Sequence, residues 1–422
     1  MGAIADALQE TRERTLALVA PVDDGQLERV HSTLMSPLVW DLGHIAAFED
    51  LWIGHRYGGR PLLRDELMDV YDAFETPRAD RGCLPYLRPA AAREYLDEVH
   101  ARSLEVLADR GEDLVAELVV RHEQQHCETM LQTIALARLP GYALSTAHSA
   151  SGRSGATQIS GLEMVEVPGG AITIGAPADG FAYDNERPRH AEVLPGFLIG
   201  RAPVSNADYL EFVMRGGYDH RNWWSREGWA WKQQYDITRP GGWTQGLDGE
   251  WRVDGVHPLD PAQPVVHVSW FEADAFARAH DARLPTEAEW EKAAAWDQER
   301  SRANVLPWGD GAAVAGVHAN IDHVATGPVP VGVHADGASP YGCLGMIGDT
   351  WEWTSSEFTG YPGFVAHPYP EYSEVFFGHG YRVLRGGSWA TRSRVITACF
   401  RNWDFPQRRQ IFSGIRIARD AR

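Results

Sequence analysis

The spacing of apolar residues divides this chain into two parts. Over roughly the first 140 residues, apolar side chains recur every three or four positions, which is the period of an amphipathic helix. Four stretches carry this period, near residues 3–20, 37–55, 90–109 and 112–138. Four such helices predict a four-helix bundle, which we assign to residues 1–145. The segment between the second and third stretches contains several Gly and Pro residues and predicts a loop that crosses the end or side of the bundle.

The helical period is lost after the last of these stretches. Residues 146–160 are small, polar and rich in Gly and Ser, which is typical of a linker between separately packed domains. Residues 161–422 have short β-like runs, many Gly and Pro residues and most of the 16 Trp residues of the chain. We therefore expect a second domain that is poor in regular structure and has large rings in its core. For the aromatic stretch 223–251, a wall that lines a substrate site is the alternative.

Charge and cysteine content exclude several classes of protein. A formal net charge of -19 disfavours binding to nucleic acid or to anionic membranes, since either usually needs clustered Lys and Arg. The N-terminus lacks the pattern of a secretory signal, and the sequence has no apolar run long enough to span a bilayer. The four cysteines are scattered without CxxC spacing, which disfavours a disulfide scaffold or a zinc ribbon. These features predict a cytoplasmic protein in a reducing compartment.

Two histidines stand four positions apart in the last helical stretch, within the sequence RHEQQH at residues 121–126. Positions four apart lie on one helical face, so the imidazoles of His122 and His126 can reach one metal ion. His44, in the second stretch, is a third candidate because bundles build metal sites from facing helices. Three imidazoles suit iron, zinc or copper, and the ligand type alone does not select among them.

The same residues also spell HExxH, the signature of a zinc peptidase. In that interpretation Glu123 is the general base and a third metal ligand lies downstream. In the three-histidine interpretation Glu123 points away from the metal and the third ligand, His44, lies upstream. The two interpretations therefore differ in the environment that they predict for Glu123.

Five ordered blocks of the second domain resemble the formylglycine-generating-enzyme, or sulfatase-modifying-factor, family. The blocks are DNERPRHAEVLPGFLIGRAPVSNADYLEFV, PVVHVSWFEADAFARAHDARLPTEAEWEKAAAW, YGCLGMIGDTWEWTSSEF, VLRGGSWA and FSGIRIARD. The resemblance implies a C-type-lectin-like fold, which would make the whole chain an α+β protein. Within the blocks, Thr286 and Glu289 predict a capping box, and Gly386 and Gly387 predict a buried turn. A formylglycine-generating enzyme uses a pair of cysteines near its C-terminal end, whereas only Cys399 lies in that region here, so we do not expect that activity.

A DinB-like bundle in front of this fold resembles the sulfoxide synthases of ergothioneine biosynthesis, over essentially the whole chain. The resemblance implies that His44, His122 and His126 hold Fe(II). It implies an O2-dependent reaction that joins γ-glutamylcysteine, or cysteine, to the imidazole of hercynine, the betaine of histidine, as a sulfoxide. The active site is then expected where the bundle meets the second domain. A non-catalytic module that binds thiols or metal is a further alternative, and a structural Ca2+ and the oligomeric state are left open.

The resemblance also implies the residues that hold the two substrates. Arg78, Arg81, Asp404 and Arg408 match the clamp for the thiol substrate, because arginine forks suit its carboxylates and an aspartate suits its ammonium. For hercynine, Gln125 is expected to bond the imidazole. Asn402 and Trp403 are expected to receive the carboxylate and the quaternary ammonium. For the neighbouring Arg401 and Arg409 we expect ordinary surface ion pairs.

A tyrosine-rich segment, FTGYPGFVAHPYPEYSEVFF, precedes the block VLRGGSWA. The family resemblance implies that a tyrosine of this segment donates a proton during the reaction, as a phenol near a metal can. By position we expect Tyr369 to be the donor. Tyr372 is the rival candidate or a residue that contacts substrate.

Overall fold

The computed structural model describes residues 2–139 and 161–421. The chain divides into two compact units, of which the first contains the described residues up to 139 and the second contains nearly all of those from 161 onward. The linker predicted at residues 146–160 lies outside the described residues. The α+β fold class that the sequence predicts is confirmed, with helices in the first unit and a mixture of short strands and helices in the second.

The first unit is built from helices. Their bounds are α1 Ala3–Val19, α2 Asp24–Glu28, α3 Leu38–Glu49, which runs directly into a π-helical segment Asp50–Tyr57, α4 Pro89–Arg110 and α5 Leu114–Ala137. The helix α5 begins where the side chain of Asp113 accepts a hydrogen bond from the backbone N–H of Val115. It ends at Arg138, which has a left-handed backbone conformation with φ of 53°. The crossing segment between α3 and α4 contains two 3-10 turns, Asp65–Leu67 and Arg81–Cys83.

The helix α3 is the centre of the first unit. Every one of its residues is buried, because α3 packs against α2, α4 and α5. The buried set includes two charged side chains, Asp41 and Glu49, in an otherwise apolar stretch. A buried charge is expensive unless it is paired, so each of these carboxylates requires a partner.

The second unit has thirteen short strands among its described residues. Their bounds are β1 Met164–Val167, β2 Gly170–Ile174, β3 His190–Leu194, β4 Phe197–Gly200, β5 Gly249–Arg252, β6 Gly255–Pro258, β7 Trp296–Asp297, β8 Arg302–Ala303, β9 Trp351–Glu357, β10 Arg382–Arg385, β11 Asn402–Asp404, β12 Ser413–Gly414 and β13 Ala418–Asp420. They form a sheet in the order β1-β4-β13, a sheet in the order β11-β10-β9-β12, and three two-stranded ribbons. In the four-stranded sheet β12 runs parallel to β9 and the other neighbours are antiparallel.

Helices and short turns connect these strands. The helices are α6 Asn206–Met214, α7 Arg226–Gln234, α8 Trp270–Ala279 and α9 Glu287–Ala295, and the 3-10 turns are Asp184–Glu186, Arg221–Trp223, Ala335–Gly337, Pro370–Tyr372 and Glu374–Phe376. The predicted capping box at α9 is confirmed, since Thr286 accepts from the N–H of Glu289 and Glu289 accepts from the N–H of Thr286. None of the described helices combines the length and the apolar composition that a bilayer crossing needs.

The core of the second unit contains buried arginines as well as large rings. The Glu352 carboxylate accepts a hydrogen bond from the Trp290 indole at 2.6 Å and pairs with Arg416 at 2.7 Å. The predicted buried turn is confirmed, since Gly386 and Gly387 have φ of 93° and 77°, which favour glycine. The prediction that rings fill the core holds in part for the stretch 223–251. Two of its tryptophans, Trp224 and Trp243, are buried. The other four are half-buried, namely Trp223, Trp229, Trp231 and Trp251.

The prediction of surface ion pairs for Arg401 and Arg409 is wrong. Arg401 is 1% exposed, and its Nε donates to the Glu287 carboxylate at 2.9 Å. Arg409 is partly buried, and its Nε lies 3.0 Å from a carboxylate oxygen of the fully buried Glu272. Both arginines neutralise carboxylates from α8 or α9 that would otherwise be buried without a counter-charge.

Candidate functional site

Three histidines converge in the first unit. His122 and His126 lie one turn apart on α5, and His44 reaches them from α3. One ring nitrogen from each lies within 4.8 Å of the other two. Nε2 of His44 is 3.2 Å from Nε2 of His122, and the His44 and His126 ring centroids are 4.7 Å apart. His44 is buried and His126 is partly exposed.

The nitrogen of His44 that faces His122 carries a lone pair. Nδ1 of His44 lies 2.7 Å from the carbonyl oxygen of Tyr71, which can only accept, so this nitrogen is the protonated one. Its Nε2 is therefore the free base. Burial is the main reason that the pKa of His122 is lowered well below 6.5, and the neighbouring His126 and His44 lower it further. Burial and His126 lower the pKa of His44 in the same way. Neutral imidazoles are the form that binds a metal ion.

Flat aromatic contacts fix two of these rings. The Trp40 ring stacks on His44, with centroids 4.9 Å apart and an interplanar angle of 11°. The Phe48 ring stacks on His122, with centroids 3.7 Å apart and an angle of 12°. Both aromatic residues belong to α3, which therefore supplies one ligand candidate and packs against another.

The spacing of two of the nitrogens fits a shared ion. Two nitrogens bound at about 2.1 Å lie about 3.0 Å apart at a right angle and about 3.4 Å apart at the tetrahedral angle. The 3.2 Å separation between the His44 and His122 nitrogens falls in this range. Three imidazole ligands with further positions open are the form of catalytic rather than structural metal sites.

Glu123 takes no part in this cluster. It is 1% exposed, and its carboxylate pairs with Arg12 of α1 at 3.0 Å and accepts from the Thr15 hydroxyl at 2.6 Å. Arg12 also pairs with the buried Glu49 of α3 at 2.6 Å. Burial alone would lower the pKa of Arg12, but Glu123 and Glu49 raise it above its usual value. Glu123 is thus bound to α1 and is not available as the general base of a zinc peptidase.

Sequence reasoning missed Asp41, which lies beside the cluster. Its Oδ1 is 3.4 Å from Nδ1 of His126, and the residue is 1% exposed. The signal was present in the sequence, since Asp41 is the charged residue three positions before His44 in the apolar stretch LVWDLGHIAAF. A carboxylate beside the second ring nitrogen of a ligating histidine is a common way to support a metal site.

Gln125 and the two arginines of the crossing segment also belong to the first unit. Gln125 is partly exposed on α5 beside His126. Arg81 is 5% exposed and lies over the Trp40 ring at 3.8 Å. Its guanidinium donates to the Ser36 hydroxyl at 2.8 Å and to two backbone carbonyls of the crossing segment. These bonds show that Arg81 stabilises the crossing segment. Arg78 is partly exposed and donates to one backbone carbonyl at 3.5 Å.

The predicted substrate residues near the C-terminus lie on and after β11. Asn402, Trp403 and Asp404 form this strand, and the Asp404 carboxylate pairs with Nε of Arg408 at 3.4 Å. The Trp403 ring stacks on Phe358, with centroids 4.0 Å apart and an angle of 7°. One face of Trp403 is therefore covered, and a quaternary ammonium would have to meet the other face or the edge.

The two candidate proton donors belong to a segment that packs near β11. Tyr372 stacks on Tyr183, with centroids 5.2 Å apart and an angle of 6°, and Tyr369 meets Tyr372 edge to face at 6.0 Å. Phe376, in the turn that follows, contacts Trp403 at 5.4 Å between centroids. Burial is the main reason that the pKa of Tyr372 is raised well above 10, and the neighbouring Tyr183 raises it further. This phenol therefore keeps its proton at neutral pH.

The sequence matches two known domain families in the order that the fold suggests. Residues 151–421 match the sulfatase-modifying factor enzyme 1-like domain, and residues 7–130 match the DinB superfamily. The chain thus belongs to the sulfatase-modifying factor class, with a DinB domain in front. It is 32% identical to a formylglycine-generating enzyme of Thermomonospora curvata, over 45% of this chain and 70% of that protein.

Relatives that match along nearly their full length identify the family within this class. The chain is 45% identical to the hercynine oxygenase of Mycolicibacterium smegmatis, over 99% of this chain and 98% of that protein. It is 43% identical to the hercynine oxygenase of Mycobacterium tuberculosis over the same shares. The chain belongs to the hercynine oxygenase family, and the family resemblance that the sequence suggested is confirmed.

Proposed function

We propose that this protein is an Fe(II)- and O2-dependent enzyme that joins a cysteine-type thiol to the imidazole ring of hercynine. The observation that carries the proposal is the three-histidine cluster of the first unit, in a chain that matches hercynine oxygenases along their full length. The name of these relatives, hercynine oxygenase, supports oxygenation of hercynine. The iron, the thiol partner and the sulfoxide product are our inference.

The overall reaction balances with O2 as the oxidant. The thiol loses its S–H hydrogen and the imidazole loses the hydrogen on the carbon between its nitrogens, and a new carbon–sulfur bond forms. One oxygen atom ends on sulfur as the sulfoxide. The other oxygen atom leaves as water with the two hydrogens. The four electrons that reduce O2 come from forming the carbon–sulfur bond and from oxidising the sulfur.

Three imidazoles are suited to hold Fe(II), which when bound supplies open positions for a thiolate and O2 and makes electron transfer from sulfur easier. The part of this chain is to hold His44, His122 and His126 in place and to leave one side of the cluster accessible. Binding both substrates beside one ion removes most of the entropic barrier to their meeting. Zinc would fit the same nitrogens but has no redox chemistry.

For substrate recognition we propose the residues that the resemblance implied. Gln125 would bond the hercynine imidazole, and Asn402 and Trp403 would receive its carboxylate and ammonium. Arg78, Arg81, Asp404 and Arg408 would hold the thiol substrate. The ion pair between Asp404 and Arg408 supports this assignment, because it orders both groups before a zwitterionic substrate arrives.

Tyr369 is the proposed proton donor, and Tyr372 is its rival. Tyr372 is partly buried against Tyr183, which favours a packing role for it. Tyr369 meets the Tyr372 ring edge to face and is the phenol that we propose to reach the substrate. A cytoplasmic location and a structural Ca2+ remain predictions.

The decisive experiment is anaerobic reconstitution with Fe(II) or Zn(II), followed by O2 and mass spectrometry of the products. Parallel reactions contain hercynine with γ-glutamylcysteine, hercynine with cysteine, or one substrate alone. We expect O2 consumption and a sulfoxide product only with Fe(II), hercynine and a thiol together. Peptide hydrolysis by the Zn(II) form without O2 would contradict the proposal, and tight substrate binding without product would favour a non-catalytic module.

A further inference from the structure

Beyond the ligands, the histidine cluster has a buried carboxylate whose role the reaction does not explain. Neither oxygen of Asp41 accepts a hydrogen bond from the residues that the structure describes. Nδ1 of His126 likewise has no hydrogen-bond partner among them, and it lies 3.4 Å from the Asp41 carboxylate. A carboxylate that is 1% exposed and lacks hydrogen bonds would be strongly destabilising. The geometry indicates that Asp41 is kept for the imidazole that it faces.

The three histidines are fixed by different means. His44 has a backbone carbonyl at 2.7 Å from its Nδ1, and His122 has an aromatic ring stacked on its face. His126 is the member that faces a carboxylate. A histidine that donates its second N–H to a carboxylate has a fixed tautomer and ring orientation, and its other nitrogen is a stronger metal ligand.

We propose that Asp41 is a positioning residue that accepts a hydrogen bond from Nδ1 of His126 and so directs Nε2 of this ring toward the metal ion. Closing the present 3.4 Å gap to a normal hydrogen-bond length needs a shift of only a few tenths of an ångström. The inference rests on the metal-binding part of the proposed function and is independent of the reaction that follows.

The helical positions of the two residues make this contact possible. Asp41 lies three positions before His44 on α3, so both side chains lie on the same side of that helix. This side faces α5, since His44 lies beside both His122 and His126. A single face of α3 thus supplies one ligand directly and supports a second ligand through a carboxylate.

The test measures Co(II) binding by the full-length metal-free protein and by two variants, Asp41→Asn and Asp41→Ala. The dissociation constant and the visible ligand-field absorption of the Co(II) form are recorded, because the absorption reports the number and geometry of ligands. Loss of a carboxylate behind a ligating histidine typically weakens metal binding about 10- to 100-fold. We expect about tenfold weaker binding for Asp41→Asn, which keeps an acceptor oxygen, and about 100-fold for Asp41→Ala.

The matched control is Asp50→Asn. Asp50 is equally buried at the end of the same helical run, but it accepts from the backbone N–H of Leu63 at 2.7 Å and contacts no ligand candidate. We expect this variant to lose thermal stability while its Co(II) affinity and spectrum stay within about threefold of the unmodified protein, well below the effect of a supporting carboxylate.

Two results would overturn the inference. One is Co(II) binding by either Asp41 variant that is as tight as in the unmodified protein, with the same spectrum. The other is an equal loss of affinity in Asp50→Asn, which would show a general effect of helix stability. If Asp41→Ala does not fold, Asp41→Asn decides the question. An unmodified protein that binds Co(II) in the histidine cluster but forms no product with Fe(II) would contradict the proposed reaction alone.

Discussion

The two units of this molecule place their candidate site residues in different ways. In the first unit, His44, His122 and His126 stand on two long helices whose side-chain directions follow from the helical period. In the second unit, β11 has three residues, and Tyr369 and Tyr372 flank or occupy a three-residue 3-10 turn. Regular helices define a metal centre from local spacing, whereas short segments need many long-range contacts to place a side chain.

The largest effect on activity is expected from loss of a metal-ligand candidate in the first unit. Replacing His126 with Ala leaves two of the three ligand candidates and should lower Fe(II) affinity and turnover by more than the roughly 100-fold seen when only a supporting residue is lost. Metal content per chain and turnover are measured together. His55→Ala is the control, because His55 is exposed and bonds to the Arg60 carbonyl. Unchanged metal content in His126→Ala would contradict the assignment of a metal centre to the helices of the first unit.

The next test concerns the irregular segment. Tyr369→Phe removes the proposed proton donor and should lower turnover about 100- to 10,000-fold while leaving metal affinity unchanged, because the phenol acts on the reaction and not on the ion. Tyr372→Phe should lower turnover less than tenfold, below the usual contribution of a proton donor. Tyr235→Phe, at a position that is 60% exposed, is the control. The reverse order of the two effects would assign the donor to Tyr372.

A stability measurement tests the contact of α5 with α1 separately from the histidine cluster. Glu123→Ala leaves Arg12 with Glu49 alone and should lower the free energy of unfolding by about 3 to 5 kcal/mol, as expected when one partner of a buried pair is removed. Turnover per folded, metal-loaded chain should be retained. Glu13→Ala, at a residue whose contact with Gln9 is exposed, should change stability by less than about 0.5 kcal/mol. A stable Glu123→Ala protein without turnover would contradict a purely structural role for Glu123.

The smallest effect is expected in a buried turn of the second unit. Burial raises the pKa of Asp349 from 3.8 to about 6. A carboxyl whose pKa is raised on folding stabilises the fold fully below about pH 4, and this contribution declines with rising pH and is gone above about pH 6. Asp349→Asn keeps the acceptor oxygen for Asn320 and Val329 and removes this titration.

The pH dependence of unfolding tests this expectation. Between pH 4 and pH 7 the unmodified protein should lose about 2 to 3 kcal/mol more stability than Asp349→Asn, which follows from a shift of about two pKa units. Denaturant titrations of both proteins at each pH give the difference, so that all other titrating groups cancel. Parallel pH profiles of the two proteins would contradict a raised pKa at this position.

The metal centre could be predicted to a large extent from the sequence. The apolar period gave the last helix as residues 112–138, and the structure has it at Leu114–Ala137. The HxxxH spacing is a local property, so the common face of His122 and His126 follows from the helical period alone. The choice of His44 as the third histidine needed the bundle architecture in addition, because it lies 78 positions from His122.

The parts that sequence could not give depend on contacts between distant positions. Arg401 was expected on the surface, but its partner Glu287 is 114 positions away and no local pattern connects them. Glu123 was expected to point away from the metal, yet its partner Arg12, 111 positions away, was not anticipated. Arg81 was expected to bind substrate, and its bonds within the crossing segment arise from a loop conformation that spacing does not encode.

The most direct test of the central claim is a crystal structure of the anaerobically Fe(II)-loaded protein, with diffraction data on both sides of the iron absorption edge. The account predicts one anomalous peak per chain, with Nε2 of His44, His122 and His126 at about 2.1 Å from the ion. The Asp41 carboxylate should lie within hydrogen-bonding distance of Nδ1 of His126. An iron peak at another position, or one that leaves out any of the three imidazoles, would contradict the account.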